Sequence, residues 1–177
     1  MKSSRAFTLI ELLVVVAIIA ILASIATVNF QYAQARAKVA RATADMRTMA
    51  TALAAYRVDN RAYPMAAVGN GDLMLPNPLQ ALVSPIAYLS AVPVDPFGEA
   101  SFDFAPDLHL RGYLYCDRAT TNVGLAKETY GIVWRENFAI QYLIHSPGPN
   151  RVWDVTPYVD YDPTNGAISR GDVCLRN

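Results

Sequence analysis

The sequence predicts an α+β protein: a long N-terminal helix, membrane-spanning in its first half, packed on a small C-terminal antiparallel β-sheet. Three observations carry that expectation. From Phe7 to Tyr63 there is neither Gly nor Pro, whereas all 9 Gly and 11 Pro fall from Pro64 onward, so the helix breakers are confined to the second part of the chain. Within the breaker-free run, residues 7–28 read FTLIELLVVVAIIAILASIATV; as a helix they would reach about 33 Å, enough to cross a hydrocarbon core of about 30 Å. Beyond Pro93 the pattern changes to short runs rich in Tyr, Val, Ile and Phe, separated by turn residues, which is the signature of strands.

Composition narrows the function classes. The chain has 177 residues, 53% of them hydrophobic and 17% charged, too apolar for disorder and long enough for one domain with an appendage. Its net charge is zero, which argues against a basic nucleic-acid binder. The zero hides an asymmetry. Residues 29–63 carry Arg36, Lys38, Arg41, Arg47, Arg57 and Arg61 against Asp45 and Asp59, while residues 64–177 hold more acids than bases. A basic stalk therefore leads to an acidic head.

The chain divides into a leader (1–6), an apolar helix (7–28), an amphipathic continuation of that helix (29–63) and a globular α+β head (64–177). Lys2 and Arg5 precede the apolar run, predicting a cytoplasmic N-terminus and an exported head. A secretory signal cut after Ala26 is the alternative, but the run is longer than an ordinary signal core and contains an acid. In the continuation, Val39, Ala42, Met46, Met49, Leu53 and Tyr56 recur at spacings of three and four, forming one stripe expected to pack on the head. After a loop from Pro64 to about Asn77, a short helix is expected over Leu79–Val83. Strands are expected at Tyr113–Cys116, Gly131–Trp134, Ala139–His145, Pro157–Tyr161 and Ala167–Ser169. Asp162-Pro163-Thr164-Asn165-Gly166 would be the turn between the last two, since Asn-Gly readily takes positive φ.

Glu11 is the most informative residue. An ionised acid in hydrocarbon costs several kcal/mol and is expected to face a partner. Its surroundings, Ala6-Phe7-Thr8-Leu9-Ile10-Glu11-Leu12, resemble the prepilin processing motif of the type IV pilin-like superfamily. The resemblance implies cleavage by a prepilin peptidase between Ala6 and Phe7, methylation of the new amine, and polymerisation in which the Phe7 amine pairs with Glu11 of the neighbouring subunit. Pairing would neutralise both charges inside an apolar helix bundle. Ala6 stands where the family normally has Gly, and Val28 where many members have Pro.

Further on, Tyr56-Arg57-Val58-Asp59-Asn60-Arg61-Ala62-Tyr63-Pro64 resembles the stretch that closes the long helix of the type II secretion major pseudopilins. Val94-Asp95-Pro96-Phe97-Gly98 and Ser146-Pro147-Gly148-Pro149-Asn150 are similar to two of that family's turns. The segment from about 99 to 138 has no counterpart in the pattern. The resemblance implies a structural subunit of a pseudopilus that exports protein, with a surface type IV pilin for adhesion, motility or DNA uptake as the alternative. It implies as partners further copies of the chain, the peptidase, an inner-membrane assembly platform, minor pilin-like subunits and, before assembly, the bilayer. The expected location is the inner membrane, single-pass with a periplasmic head, and then a periplasmic or extracellular filament.

The major pseudopilins bind calcium in a C-terminal loop, and Asp154, Asp160, Asp162 and Asp172 supply hard oxygen ligands in the corresponding region. The alternative is a solvated acidic turn, because the spacing does not complete an EF-hand loop. Cys116 and Cys174 form an even pair in a segment expected outside the cytoplasm, where disulfides persist; the alternative is two buried thiols. A bridge would favour the type IV pilin reading. His109 and His145 sit in no metal-ligand or catalytic spacing, and no nucleophile elbow, P-loop or dinucleotide motif occurs. No enzyme is expected, and no cofactor beyond the possible calcium. A membrane-anchored exported enzyme or binding module remains the reading from another class.

Overall fold

The computed structural model of the chain describes residues 7–65, 78–102, 109–118, 139–154, 159–166 and 168–177. One α-helix, α1, runs without interruption over Leu9–Asn60, so the apolar run and the amphipathic run form a single rod. Its length follows from the absence of Gly and Pro. It stops where Arg61 takes a left-handed conformation with φ 58°, just before Tyr63-Pro64. Arg57 stacks over the Tyr63 ring at 5.0 Å, holding the chain as it leaves the helix.

Among the described residues the head follows as a 3-10 turn at Pro78–Leu82 and six strands: β1 (Glu99–Phe102), β2 (His109–Arg111), β3 (Leu114–Asp117), β4 (Tyr142–Ser146), β5 (Val152–Trp153) and β6 (Val173–Arg176). They make two three-stranded sheets. One has the order β3-β4-β6 and is antiparallel throughout. The other has the order β2-β1-β5, with β1 antiparallel to β2 but parallel to β5.

The register sets the core. Tyr115, Ile144 and Leu175 lie in one row across β3, β4 and β6. Tyr115 and Ile144 belong to a buried cluster with Ala42, Met46, Met49 and Leu53 of α1 and with Leu79 and Leu82 of the 3-10 turn, and Leu175 packs against it. The expected stripe on α1 therefore faces the head, with Val39 and Tyr56 at its margins, partly buried. Tyrosines tie the rod to the head: the hydroxyl of Tyr113 donates to Asp45 at 3.0 Å and that of Tyr88 to Asp59 at 2.8 Å, while that of Tyr115 donates to the Pro64 carbonyl at 3.1 Å and fixes the chain just past the helix.

Several expectations need correction. The short helix after Pro78 is a 3-10 turn. Of the run 167–169, the described residues form no strand: Ile168 lies in a turn and Ser169 outside any ladder, while Ala167 lies outside the described residues. Of the run 157–161, the described part contributes one isolated bridge, Asp160 to Asp172. The run 131–134 and the leader lie outside the described residues. Asp162 does cap a turn, a 3-10 turn at Pro163–Asn165, but positive φ falls on Gly166 alone.

Cys116 and Cys174 carry thiols, not the expected disulfide. Cys116 is registered opposite Leu143, and Cys174 opposite His145. Because β4 lies between their strands, their Cα atoms are at least two strand spacings apart, roughly 9–10 Å, beyond the ~7 Å that a bridge can span.

Candidate functional site

The N-terminal end of α1 is built by local hydrogen bonding. Thr8 is the N-cap, extended at φ −84° and ψ 151°. Its hydroxyl accepts from the Glu11 amide at 3.3 Å, while Glu11 Oε2 accepts from the Thr8 amide and the Thr8 hydroxyl, each at 2.8 Å. This reciprocal capping box satisfies donors that a helix end otherwise leaves open. The Thr-x-x-Glu spacing is legible in the sequence, and it adds Thr8 to the residues expected from the processing motif alone.

The geometry fixes where the acid stands. Glu11 is folded back over the first turn onto Thr8 and is exposed. A carboxylate has about four acceptor positions, so the two bonds from Thr8 leave room for a cation from outside. Around it lies an uncovered apolar surface: Leu9, Ile10, Leu12, Leu13, Ile18 and Ile19 are all more than half exposed. One span within α1 is long and apolar enough to cross a membrane, and none of that span is buried against the rest of the chain. Such a surface in water is untenable; it must be covered by lipid or by protein. Ala6, the residue before the expected cut, lies outside the described residues.

The second expected site, the four aspartates, does not converge. Asp154 is buried, and its carboxylate accepts from Asn150 Nδ2 at 2.7 Å, Arg170 Nε at 2.5 Å and the Gly171 amide at 2.7 Å. Asp172 is fully buried and accepts from the Asp154 amide at 3.0 Å. Asp160 is exposed and paired with Arg176 at 2.5 Å. Asp162 is exposed and spent on capping, accepting from the Thr164 amide and hydroxyl; these two bonds hold its carboxyl below the usual range. Two guanidiniums thus supply the positive charge that the loop's carboxylates require. Among the described residues no group of three or more His, Cys, Asp or Glu side chains is placed to hold a metal. As placed here, these residues do not fit calcium.

His145, on the face of β4 turned from α1, is fully buried, with its Nδ1 3.9 Å from Asp172. That is too far for a hydrogen bond. Burial, and secondarily the charge of Arg176, push its pKa down to about 3, so it is neutral and does not form an ion pair with Asp172 at neutral pH. Asp95 opens the Asp-Pro-Phe-Gly turn: its Oδ1 accepts from the Phe97 amide at 2.7 Å, and the Gly98 amide donates to the Asp95 carbonyl at 3.1 Å. Burial pushes this carboxyl up, opposed by the Phe97 amide. These groups build the head rather than a reaction centre.

A family model described as the prokaryotic N-terminal methylation motif matches residues 1–27, and a second, described as type II secretion system (T2SS), protein G, matches residues 29–110. The type II secretion system core protein G of Pseudomonas aeruginosa is 36% identical over 108 residues, which cover 59% of this chain and 76% of that protein. The chain belongs to the type II secretion protein G family. The core protein G of Escherichia coli K12 is also 36% identical, over 98 residues covering 53% of this chain and 67% of that protein. No solved structure matches. The protein G match stops short of Asp154, Arg170 and Arg176, so the arginine-held loop belongs to the part of the chain beyond the family model.

Proposed function

We infer that this protein is a structural subunit of a type II secretion pseudopilus. A prepilin peptidase cuts between Ala6 and Phe7, the new amine is methylated, and the subunit polymerises through α1 into a helical homopolymer whose growth drives protein export. The observation that carries the reading is the uncovered apolar half of α1, with Glu11 held at its first turn by Thr8. The Phe7 amine produced by cleavage gives that carboxylate a partner in the next subunit, and identical apolar helices give the rod its cover. Before assembly the same segment anchors the subunit in the inner membrane, its N-terminus cytoplasmic and its head periplasmic. An assembly platform and minor pilin-like subunits are the further partners, and no catalysis is assigned.

The surface type IV pilin reading drew on a C-terminal disulfide, and the strand order withdraws that support. Intact mass of the membrane protein tests the proposal. Loss of residues 1–6 and gain of one methyl group is the expected result; a chain that keeps its leader, or is cut after Ala26, contradicts it. Restoration of protein export in cells lacking their own protein G separates a pseudopilin from a surface pilin, which would restore filaments without export.

A further inference from the structure

The base of the head packs against the helix just beyond the apolar span. If residues 7–28 fill the hydrocarbon core, Gln31, Gln34 and Ala35 rise only about 5–10 Å above it at 1.5 Å per residue, within or just above a headgroup layer roughly 5–8 Å deep. These helix residues share a groove of about 190 Å³ with Lys38, Phe97, Pro149, Arg151 and Ile168. The head therefore reaches down to the same level. Arg151 and Ile168 are exposed there, and Ile168 is a large apolar side chain left 57% exposed. Lys38 lies with its ammonium 6.0 Å from the centre of the Phe97 ring.

The charged residues that line this groove, Lys38 and Arg151, are both cations. Between Glu11 and Asp45 α1 has no acid, and it carries Arg36, Lys38 and Arg41. Of the acids on the described head, exposed Glu99 lies two residues from Phe97, Asp95 and Asp154 are buried with Asp154 held by Arg170, Asp160 is paired with Arg176 and Asp162 caps its own turn. An isoleucine flanked by cations, at headgroup height and continuous with a membrane span, has the composition of an interfacial contact.

We propose that the base of the head docks on anionic phospholipid headgroups before the subunit enters the filament, Lys38 and Arg151 meeting the phosphates and Ile168 entering the headgroup layer. The proposal rests on the membrane-anchored reading given above. Docking would fix the head's orientation on the membrane, presenting the same flank of each subunit to an incoming neighbour.

The test uses the full chain in vesicles of phosphatidylcholine alone or mixed equally with phosphatidylglycerol. In a Cys116→Ala/Cys174→Ala background, Ile168→Cys carries a fluorophore, and lipids with nitroxide headgroups act as quenchers. Two cations shift the docked ratio by roughly thirtyfold, so quenching at 168 should be strong with phosphatidylglycerol and weak without it. It should fall with added salt, and fall to the phosphatidylcholine level in Lys38→Glu/Arg151→Glu. The salt response needs no substitution and stands even if that variant folds poorly. A label at exposed Val58, about 30 Å further along the helix, should stay unquenched throughout. Chains that float with the vesicles but show no quenching at 168 overturn the docking alone. Shielding that is equal in both lipids and rises with protein density assigns this face to a second copy and also overturns it. Failure to float overturns the anchored reading together with the docking.

Discussion

Thr8 and Glu11 hold each other, and in the polymerisation proposed above that mutual hold would place the carboxylate for its partner. With its carboxylate tied to the Thr8 amide and hydroxyl, Glu11 is positioned before any partner arrives. An N-cap of this type contributes about 1 kcal/mol, roughly a fivefold change in population. Thr8→Ala is accordingly expected to lower filament yield severalfold while Thr8→Ser retains it, read as the sheared filament fraction at equal membrane levels. A second residue reports on pH. The unfolded chain protonates His145 from about pH 6.5, whereas the folded head does so only near 3. Folded stability is therefore lost as pH falls through that window, by up to about 1.4 kcal/mol per pH unit from this one proton. His145→Gln should flatten that part of the acid limb in thermal melts of the head; an unchanged slope would show that other groups set it. Arg170→Ala removes one partner of buried Asp154, an effect expected to cost about 1–3 kcal/mol, whereas a chelator should leave the wild-type melting temperature unchanged.

The helix was legible element by element because one long signal defines it. Neither Gly nor Pro interrupts it, and spacings of three and four from Val39 to Tyr56 mark the side that the head covers. Leu53 sits at the centre of that side, fully buried. Leu53→Ala should cost about 2–5 kcal/mol, seen as a lower denaturant midpoint with secondary structure intact. The sheets were less legible for a physical reason. β1, β2 and β5 are two to four residues long, too short for alternation to register, and β1 pairs in parallel with a distant two-residue strand. β6, Val173-Cys174-Leu175-Arg176, was hidden in a tail read mainly as a place for cysteine and aspartate. Counting cysteines could not reveal that β4 would lie between them. Counting aspartates could not reveal that Arg170 and Arg176 would answer two of them. At the N-terminal site the acid was legible from the motif, while the capping role of Thr8 needed the geometry of the helix end.

At the scale of the whole molecule, the chain is a rod with two unequal halves. One half is covered by the head; the other, from Phe7 to Phe30, is exposed and apolar. Within the covered half and the head, the basic stalk and the acidic head carry opposite charge. In a helical polymer the stalk of one subunit can therefore face the head of another, giving contacts that salt screens over about 10 Å. Filaments should shed subunits faster as ionic strength rises, measured by sedimentation after dilution into salt. The central claim is that polymerisation runs through the first turn of α1. Its most direct measurement compares filament assembly by the wild-type chain and by Glu11→Ala, at equal membrane insertion and processing. The account predicts that Glu11→Ala inserts and is cut but forms few or no filaments; assembly at the wild-type level would contradict it.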